Sequence, residues 1–155
     1  MTNATEQITI LGDHNISANF DGEPATLTHL VQTHDVDDSI IQGVSGGFIS
    51  VSANPPYKFG DSIEMTSHDE PGFQFDGWLD TNSELISSSR TLQLSLEANQ
   101  TITAKFKKLS YEVKIFSAPL VGGTVKADRG TNSQIQTIYV PHGEQVNLQA
   151  LASAN

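Results

Sequence analysis

The amino-acid sequence predicts a mostly β fold, with an α+β fold as the alternative. Three observations support strands. Apolar and polar residues alternate with a period of two in six stretches, which places the apolar side chains of each stretch on one face. Turn-forming residues separate these stretches, as in NPP at 54–56 and EPG at 70–72. No stretch keeps a helical period of 3.6 residues over three turns.

The alternating stretches are SIEMTS (62–67), TLQLSL (91–96), TITAKF (101–106), YEVKIF (111–116), GTVKA (123–127) and QVNLQAL (145–151). The α+β alternative rests on DVDDSIIQGV (35–44), where Asp37 or Asp38 would cap one short helical turn before Gly43.

Composition limits the class of protein. The 155 residues suffice for one ordinary domain or two small ones, and 37% of them are hydrophobic. The net charge of −10 repels phosphate backbones, so we expect no binding to nucleic acid. The absence of cysteine excludes disulfides, thiolate metal sites and cysteine nucleophiles.

The sequence also bears on location. No apolar run approaches the roughly 18 residues that a membrane span needs, so we expect no membrane insertion. The opening MTNATEQITI lacks the basic and apolar regions of a signal peptide. For an extracellular or cell-surface location, we expect the signal to lie outside this sequence.

Three segments recur in the same order, which indicates an internal repeat. ITILGDHNISANF (8–20) matches LQLSLEANQTITAKF (92–106), GGFISVSA (46–53) matches GGTVKADR (122–129), and YKFGDSIEM (57–65) matches YVPHGEQVNL (139–148). Phe20 aligns with Phe106, Gly47 with Gly123 and Gly60 with Gly143, at offsets of 86, 76 and 83 residues. A period of roughly 80 residues with varying loop lengths is typical of small tandem domains.

The repeat predicts the domain boundaries. Residues 1–20 are the tail strands of a preceding repeat, 21–107 form a complete repeat domain, and 108–155 form the first half of a following repeat. A further hypothesis is that residues 8–20 complete a sheet with later strands of the chain.

The order of GG-x-[VI], Y-x₁₋₃-G-[DE]-x-[VI]-x-[LM], PGFQFDGW and ITAKF resembles the divergent internalin-B-type B-repeat of bacterial surface and secreted proteins. The resemblance covers residues 46–106 fully, and 8–20 and 110–151 in part. It implies a small β-grasp-like module with an antiparallel or mixed sheet, which acts as a spacer or ligand-contacting repeat and carries no catalytic residues. The segments 21–45 and 129–137 depart from the pattern.

The aromatic segment PGFQFDGWLD (71–80) has two interpretations. Phe73 and Phe75 share one face of a strand, and a turn at Asp76 and Gly77 returns Trp78 to the core. Burial of each ring contributes about 2–3 kcal/mol, which a small module needs. The alternative is a carbohydrate-stacking surface with Trp78 and Tyr57 as ligand-binding residues, joined by Phe48.

One metal site is predicted. Asp35, Asp37 and Asp38 offer oxygen ligands of the kind that Ca²⁺ prefers, although the EF-hand pattern is absent. The competing interpretation is a solvated acidic loop or a helix N-terminus. The five histidines form no zinc motif, and we expect no other cofactor.

We expect the protein not to be an enzyme. Asp76, Asp80 and Glu84 would suit a glycosidase pair only across a cleft, for which a unit of this size has little room. Lys105, Lys107 and Lys108 are interpreted as strand-edge charges that discourage aggregation.

The function that the sequence predicts is a non-enzymatic structural, spacer or adhesion repeat module of a larger bacterial cell-surface or secreted protein. The alternatives are a carbohydrate- or protein-binding module that uses exposed aromatic residues, and a Ca²⁺-stabilised adhesin domain. The expected partners are neighbouring repeats of the same polypeptide and a host or environmental surface glycan or protein. We expect the chain to be a monomer.

Overall fold

The computed structural model describes residues 22–118 and 122–153, together with residues 7, 9 and 12. These residues form thirteen strands and no helix, which confirms the mostly β fold. The predicted tail strands at 1–20 lie outside the described residues, apart from those three positions. The domain boundaries stay predictions.

The strands are β1 (Pro24–Ala25), β2 (Leu27–His34), β3 (Gly47–Val51), β4 (Tyr57–Lys58), β5 (Ser62–Asp69), β6 (Phe73–Leu79), β7 (Leu85–Ser87), β8 (Thr91–Ser95), β9 (Gln100–Lys108), β10 (Ser110–Phe116), β11 (Gly123–Ala127), β12 (Ile135–Pro141) and β13 (Leu148–Ala152).

The strands form two groups of sheets. In the first unit, β1 to β9, a four-stranded sheet has the order β2-β9-β6-β7, a three-stranded sheet has the order β3-β5-β8, and β1 pairs with β4. In the second unit, β10 to β13, β10 pairs with β12 and β11 pairs with β13. The β2–β9 pair is parallel and the others are antiparallel, so the sheets are antiparallel and mixed.

The core of the first unit lies between its two sheets. Alternation along β5 buries Ile63 and Met65 completely, as period-two spacing predicts. The other buried side chains of this core come from β2, β4, β6, β9 and the residue after β8: Leu27, Tyr57, Phe75, Trp78, Leu96, Ile102, Ala104 and Phe106. Phe75 lies 5.2 Å from Trp78 and 5.7 Å from Phe106, measured between ring centroids, in tilted and edge-on geometries that aromatic pairs favour.

A β-bulge brings the aromatic rings to one face. Phe75 and Trp78 are three positions apart and would point to opposite faces of a regular strand. The register of β6 against β9 shifts between Phe75 and Gly77, where Asp76 is the extra residue. The predicted turn at Asp76 and Gly77 is therefore wrong, because the chain continues as one strand, but the predicted burial of Trp78 is found.

The predicted helix at 35–44 is wrong. Asp38 has a φ of 72°, in the left-handed region that a right-handed helix excludes. The Asp37 carboxylate accepts hydrogen bonds from the backbone N–H and the hydroxyl of Ser39, which stabilises a turn in place of a helix. Ile40 then forms an antiparallel bridge with His34. The α+β alternative fails with this helix.

The two units share one pairing pattern. Gly47 opposes Asp69 in the β3–β5 pair, and Gly123 opposes Ala152 in the β11–β13 pair. These positions differ by 76 and 83 residues, which are the offsets that the sequence match gives. The β10–β12 pair begins in the same way, since Ser110 opposes Pro141 as Pro24 opposes Lys58. Ser110 follows Pro24 by 86 residues, and Pro141 follows Lys58 by 83 residues.

The strand predicted at 145–151 begins three residues late, at Leu148. The corresponding residues of the first unit, 62–64, pair with β8 and not with β3. Among the described residues, the second unit has no counterpart of β8, so 145–147 lack the partner that would make them a strand.

Replacement of Phe106 by alanine should lower the free energy of unfolding of the first unit by about 3–5 kcal/mol, because the ring is fully buried and leaves a cavity. Phe48→Ala is the matched control, since that ring is 52% exposed. Its removal should lower the free energy of unfolding by about 1 kcal/mol or less. Urea unfolding followed by the fluorescence of Trp78 measures both. Equal losses in the two variants would contradict this description of the core.

Candidate functional site

The loop between β2 and β3, residues 35–46, lies over the outer face of the four-stranded sheet. Ile102, Ala104 and Phe106 of β9 face the core, so the alternate residues of this strand face outward. The first half of the loop carries the three predicted calcium ligands. The second half borders a groove.

Lys105 anchors the acidic part of the loop to the sheet. Its ammonium nitrogen lies 2.8 Å from Asp38 Oδ1 and 3.1 Å from Asp76 Oδ2. The Lys107 nitrogen lies 3.6 Å from the same oxygen of Asp38. The Lys105 side chain is 16% exposed, so part of this ion-pair network is shielded from water.

The network shifts the pKa of both main partners in the directions expected of an ion pair. The hydrogen bond from Lys105 lowers the pKa of Asp38, and the charges of Lys105 and Lys107 add to the effect. The hydrogen bond to Asp38 in turn raises the pKa of Lys105. Both charged forms are therefore favoured in the folded protein.

The strand-edge interpretation of Lys105, Lys107 and Lys108 is wrong. β9 is an inner strand with β2 on one side and β6 on the other. Lys108 lies 4.0 Å from Asp35 and 3.5 Å from Glu144, measured from Nζ to the nearest carboxylate oxygen. Lys105 and Lys107 therefore neutralise acidic side chains on the outer face, and Lys108 neutralises Asp35 and Glu144 beyond the end of the core.

The predicted calcium ligands each have other partners. Asp38 contacts the lysines, and Asp37 binds Ser39. Asp35 accepts a hydrogen bond from the backbone N–H of Val36. No group of three or more His, Cys, Asp or Glu side chains suited to a metal ion is found in residues 22–118 and 122–153. Calcium binding stays a prediction.

Trp78 and Tyr57, the predicted ligand-binding residues, lie in the core. Trp78 is 0% exposed, and its indole N–H donates a hydrogen bond to the carbonyl oxygen of Ser89. Tyr57 is 7% exposed, and its hydroxyl donates to the carbonyl oxygen of Ala53. A binding role for either ring would require the core to open.

Phe48, the third aromatic residue considered, is exposed. Its ring stacks on His68 at a centroid distance of 4.6 Å, and His68 Nε2 lies 2.9 Å from the hydroxyl of Ser50. These three side chains form a small patch on the outer face of the three-stranded sheet.

The sequence reasoning did not find the groove. It has a volume of about 700 Å³ between the second half of the loop and the outer face of β2 and β9. Half-exposed apolar side chains meet hydroxyls and one carboxylate there: Leu30, Val31, Ile40, Val44, Asp80, Thr81, Ser83, Thr101 and Thr103. Such a surface suits contact with another molecule, because apolar area is exposed beside fixed polar groups.

The groove offers few groups for acid–base catalysis. Among the described residues that line it, Asp80 is the one ionisable side chain. Its carboxylate accepts hydrogen bonds from the backbone N–H groups of Asn82 and Glu84. Asp76, the nearby carboxylate of β6, is bound to Lys105 on the sheet.

The fold and surface define a small β-rich module in which β1 to β9 and β10 to β13 each have a core cluster and share a pairing pattern. Residues 40–110 match the model of the divergent InlB B-repeat domain family. The match includes all of residues 46–106, so the predicted resemblance is confirmed there. The family is one of repeat modules of bacterial surface proteins.

No curated protein and no solved structure matches the chain significantly. Within the described part of the chain, no helix is long and apolar enough to span a membrane.

Replacement of Lys105 by methionine should raise the pKa of Asp38 towards its usual value, because the main hydrogen-bond donor is removed. A lowered folded-state pKa means that Asp38 stabilises the fold above its unfolded pKa and that this contribution is lost as the pH falls through the folded value. The free energy of unfolding of the variant should lack that contribution at neutral pH. It should also vary less with pH below about 4.

Carbon-detected NMR titration of the Asp38 carboxyl group measures this effect. Lys126→Met is the matched control, since Lys126 is exposed on β11 in the second unit. An Asp38 titration midpoint that is the same in the Lys105 variant and the unsubstituted protein would contradict the assignment.

Proposed function

We propose that this chain is a non-enzymatic spacer of a larger bacterial cell-surface or secreted protein, and that it holds successive repeats at a fixed angle. The family that residues 40–110 match supports a repeat module of a surface protein. The junction between the two units supports the more specific role of a stiff spacer.

The junction is one residue long. Leu109 separates β9, which ends at Lys108, from β10, which begins at Ser110. Its backbone N–H donates to the carbonyl oxygen of Gly72 in the first unit, at 2.8 Å. Its carbonyl oxygen accepts from the backbone N–H of His142 in the second unit, also at 2.8 Å. This pair of hydrogen bonds is the observation that carries the proposal, because it ties one residue to both units.

Side chains support the same junction. The imidazole of His142 packs so closely on Gly72 that a Cβ at this position would overlap the ring. Gly72 also has a φ of 88°, which favours glycine. Glu144 of the second unit lies 3.5 Å from Lys108 and forms an ion pair with Arg129.

A spacer requires no catalytic residues, and the proposal includes none. Two of the three carboxylates that would suit hydrolysis have structural partners, since Asp76 is bound to Lys105 and Asp80 stabilises the turn before β7. Neighbouring repeats of the same polypeptide are the proposed partners, and a location outside the cell follows from the role.

A second candidate function is contact with a glycan or protein of a host or environmental surface. The groove beside Val44 favours it, because Leu30, Ile40 and Val44 are each about half exposed there. Such contact would use the groove and not the buried rings of Trp78 and Tyr57. Calcium is not part of either function as proposed.

Insertion of Gly-Ser-Gly after Leu109 should let the angle between the units vary. The added residues allow the second unit to move away while Leu109 keeps its hydrogen bond to the first. The chain lacks cysteine, so spin labels can be placed at Glu97→Cys and Lys126→Cys, which are exposed positions of the two units. Pulsed electron spin resonance should give one narrow distance distribution for the original junction and a broad one after insertion.

The matched control carries the same insertion after Asn82, in the exposed turn between β6 and β7, and should keep the narrow distribution. A broad distribution with the original junction would overturn the stiff-spacer proposal.

A further inference from the structure

The second unit presents an apolar face that its counterpart in the first unit buries. Leu148 occupies the position of Met65 under the offset of 83, and it is 59% exposed where Met65 is 0% exposed. Val113 occupies the position of Leu27 under the offset of 86, and the exposures are 36% and 8%. The same strand positions are therefore covered in one unit and open in the other.

The cover in the first unit comes from β6 to β9. β8 pairs with β5 and brings Leu92 opposite Met65. β9 runs parallel to β2 and places Ile102, Ala104 and Phe106 in the core. Among residues 110–118 and 122–153, the second unit has no strands that correspond to these.

Two backbone edges are open where these strands would lie. β10 pairs with β12 alone, and β13 pairs with β11 alone, among the described residues. Residues 145–147 form no strand, although their counterparts pair with β8. We call Val113, Leu148 and these two edges the open face of the second unit.

The chain contains a segment with the sequence of the missing cover. Residues 8–20 match the end of residues 92–106 at an offset of 86, with Ile8 and Ile10 in the places of Leu94 and Leu96. Ile16, Ala18 and Phe20 take the places of Ile102, Ala104 and Phe106, whose exposures are 3%, 0% and 0%. The apolar residues that fill the core of the first unit thus recur at the right spacing.

We propose that residues 8–20 of this chain bind the open face of the second unit, as β8 and β9 bind in the first. The driving force is burial of apolar side chains together with backbone hydrogen bonds along an exposed strand edge. The register follows from the first unit. Thr28 opposes Thr101 there, so Lys114 is opposite Asn15 in the proposed pair.

The proposal goes beyond the spacer function and does not depend on it. The segment can reach the face within one chain or from a second copy. Binding between copies would join them head to tail, since the segment and the face are different surfaces.

Disulfide trapping in the full chain tests the register. The variant with Asn15→Cys and Lys114→Cys holds the only two cysteines, and the Lys114 side chain is 70% exposed, so its replacement leaves the core intact. Opposed positions of paired strands bring Cα atoms within the range that a disulfide requires. Under mild oxidation this pair should react roughly tenfold faster than Asn15→Cys with Lys126→Cys on β11, because pairing raises the effective concentration.

Two further variants separate specific binding from chance collision. Phe20→Ser in the reactive pair should slow disulfide formation to the rate of the Lys126 pair, whereas Asn19→Ser, at the neighbouring position on the opposite face, should not. Non-reducing electrophoresis shows whether the bond joins one chain or two, and either result places the segment on the open face. Equal rates for the Lys114 and Lys126 pairs, or no effect of Phe20→Ser, would overturn the proposal.

Discussion

Close packing of Phe75, Trp78 and Phe106 between two sheets is the interaction on which the first unit depends. These rings come from β6 and β9, and they cover Ile63 and Met65 on the facing sheet. A module of this size has few other large side chains with which to offset the entropy of ordering its chain. Because the rings are buried in the core, the folded unit does not present their faces to solvent.

This core also explains the outer surface of the unit. Because β9 directs alternate residues to its two faces, a strand that supplies Ile102, Ala104 and Phe106 to the core must place Lys105 and Lys107 on the other side. These lysines hold the acidic loop through Asp38, and the rest of the loop then borders the groove. The same strand continues through Leu109 into the second unit. Core, loop and junction are therefore connected through β9.

Much of the fold could be predicted from local pattern, because period-two alternation is visible along β5, β9 and β11. The offsets of the repeat, read from glycines and apolar residues, agree with the pairing registers of both units. What could not be predicted depends on distant partners. β2 shows no alternation, since Leu27, Leu30 and Val31 are spaced irregularly, and it pairs in parallel with β9 far along the chain. The bulge at Asp76 and the inner position of Lys105 follow from the same non-local pairings, and the groove requires the loop to lie on the sheet.

The aromatic segment stabilises the fold through rings that lie in the core. Trp78 is the only tryptophan, so its fluorescence reports on this burial in the unsubstituted protein. Because the indole is fully buried, its emission should be blue-shifted, and acrylamide should quench it much more weakly than free N-acetyltryptophanamide. Emission at the wavelength of a solvated indole, with quenching close to that of the free compound in the folded protein, would contradict this burial.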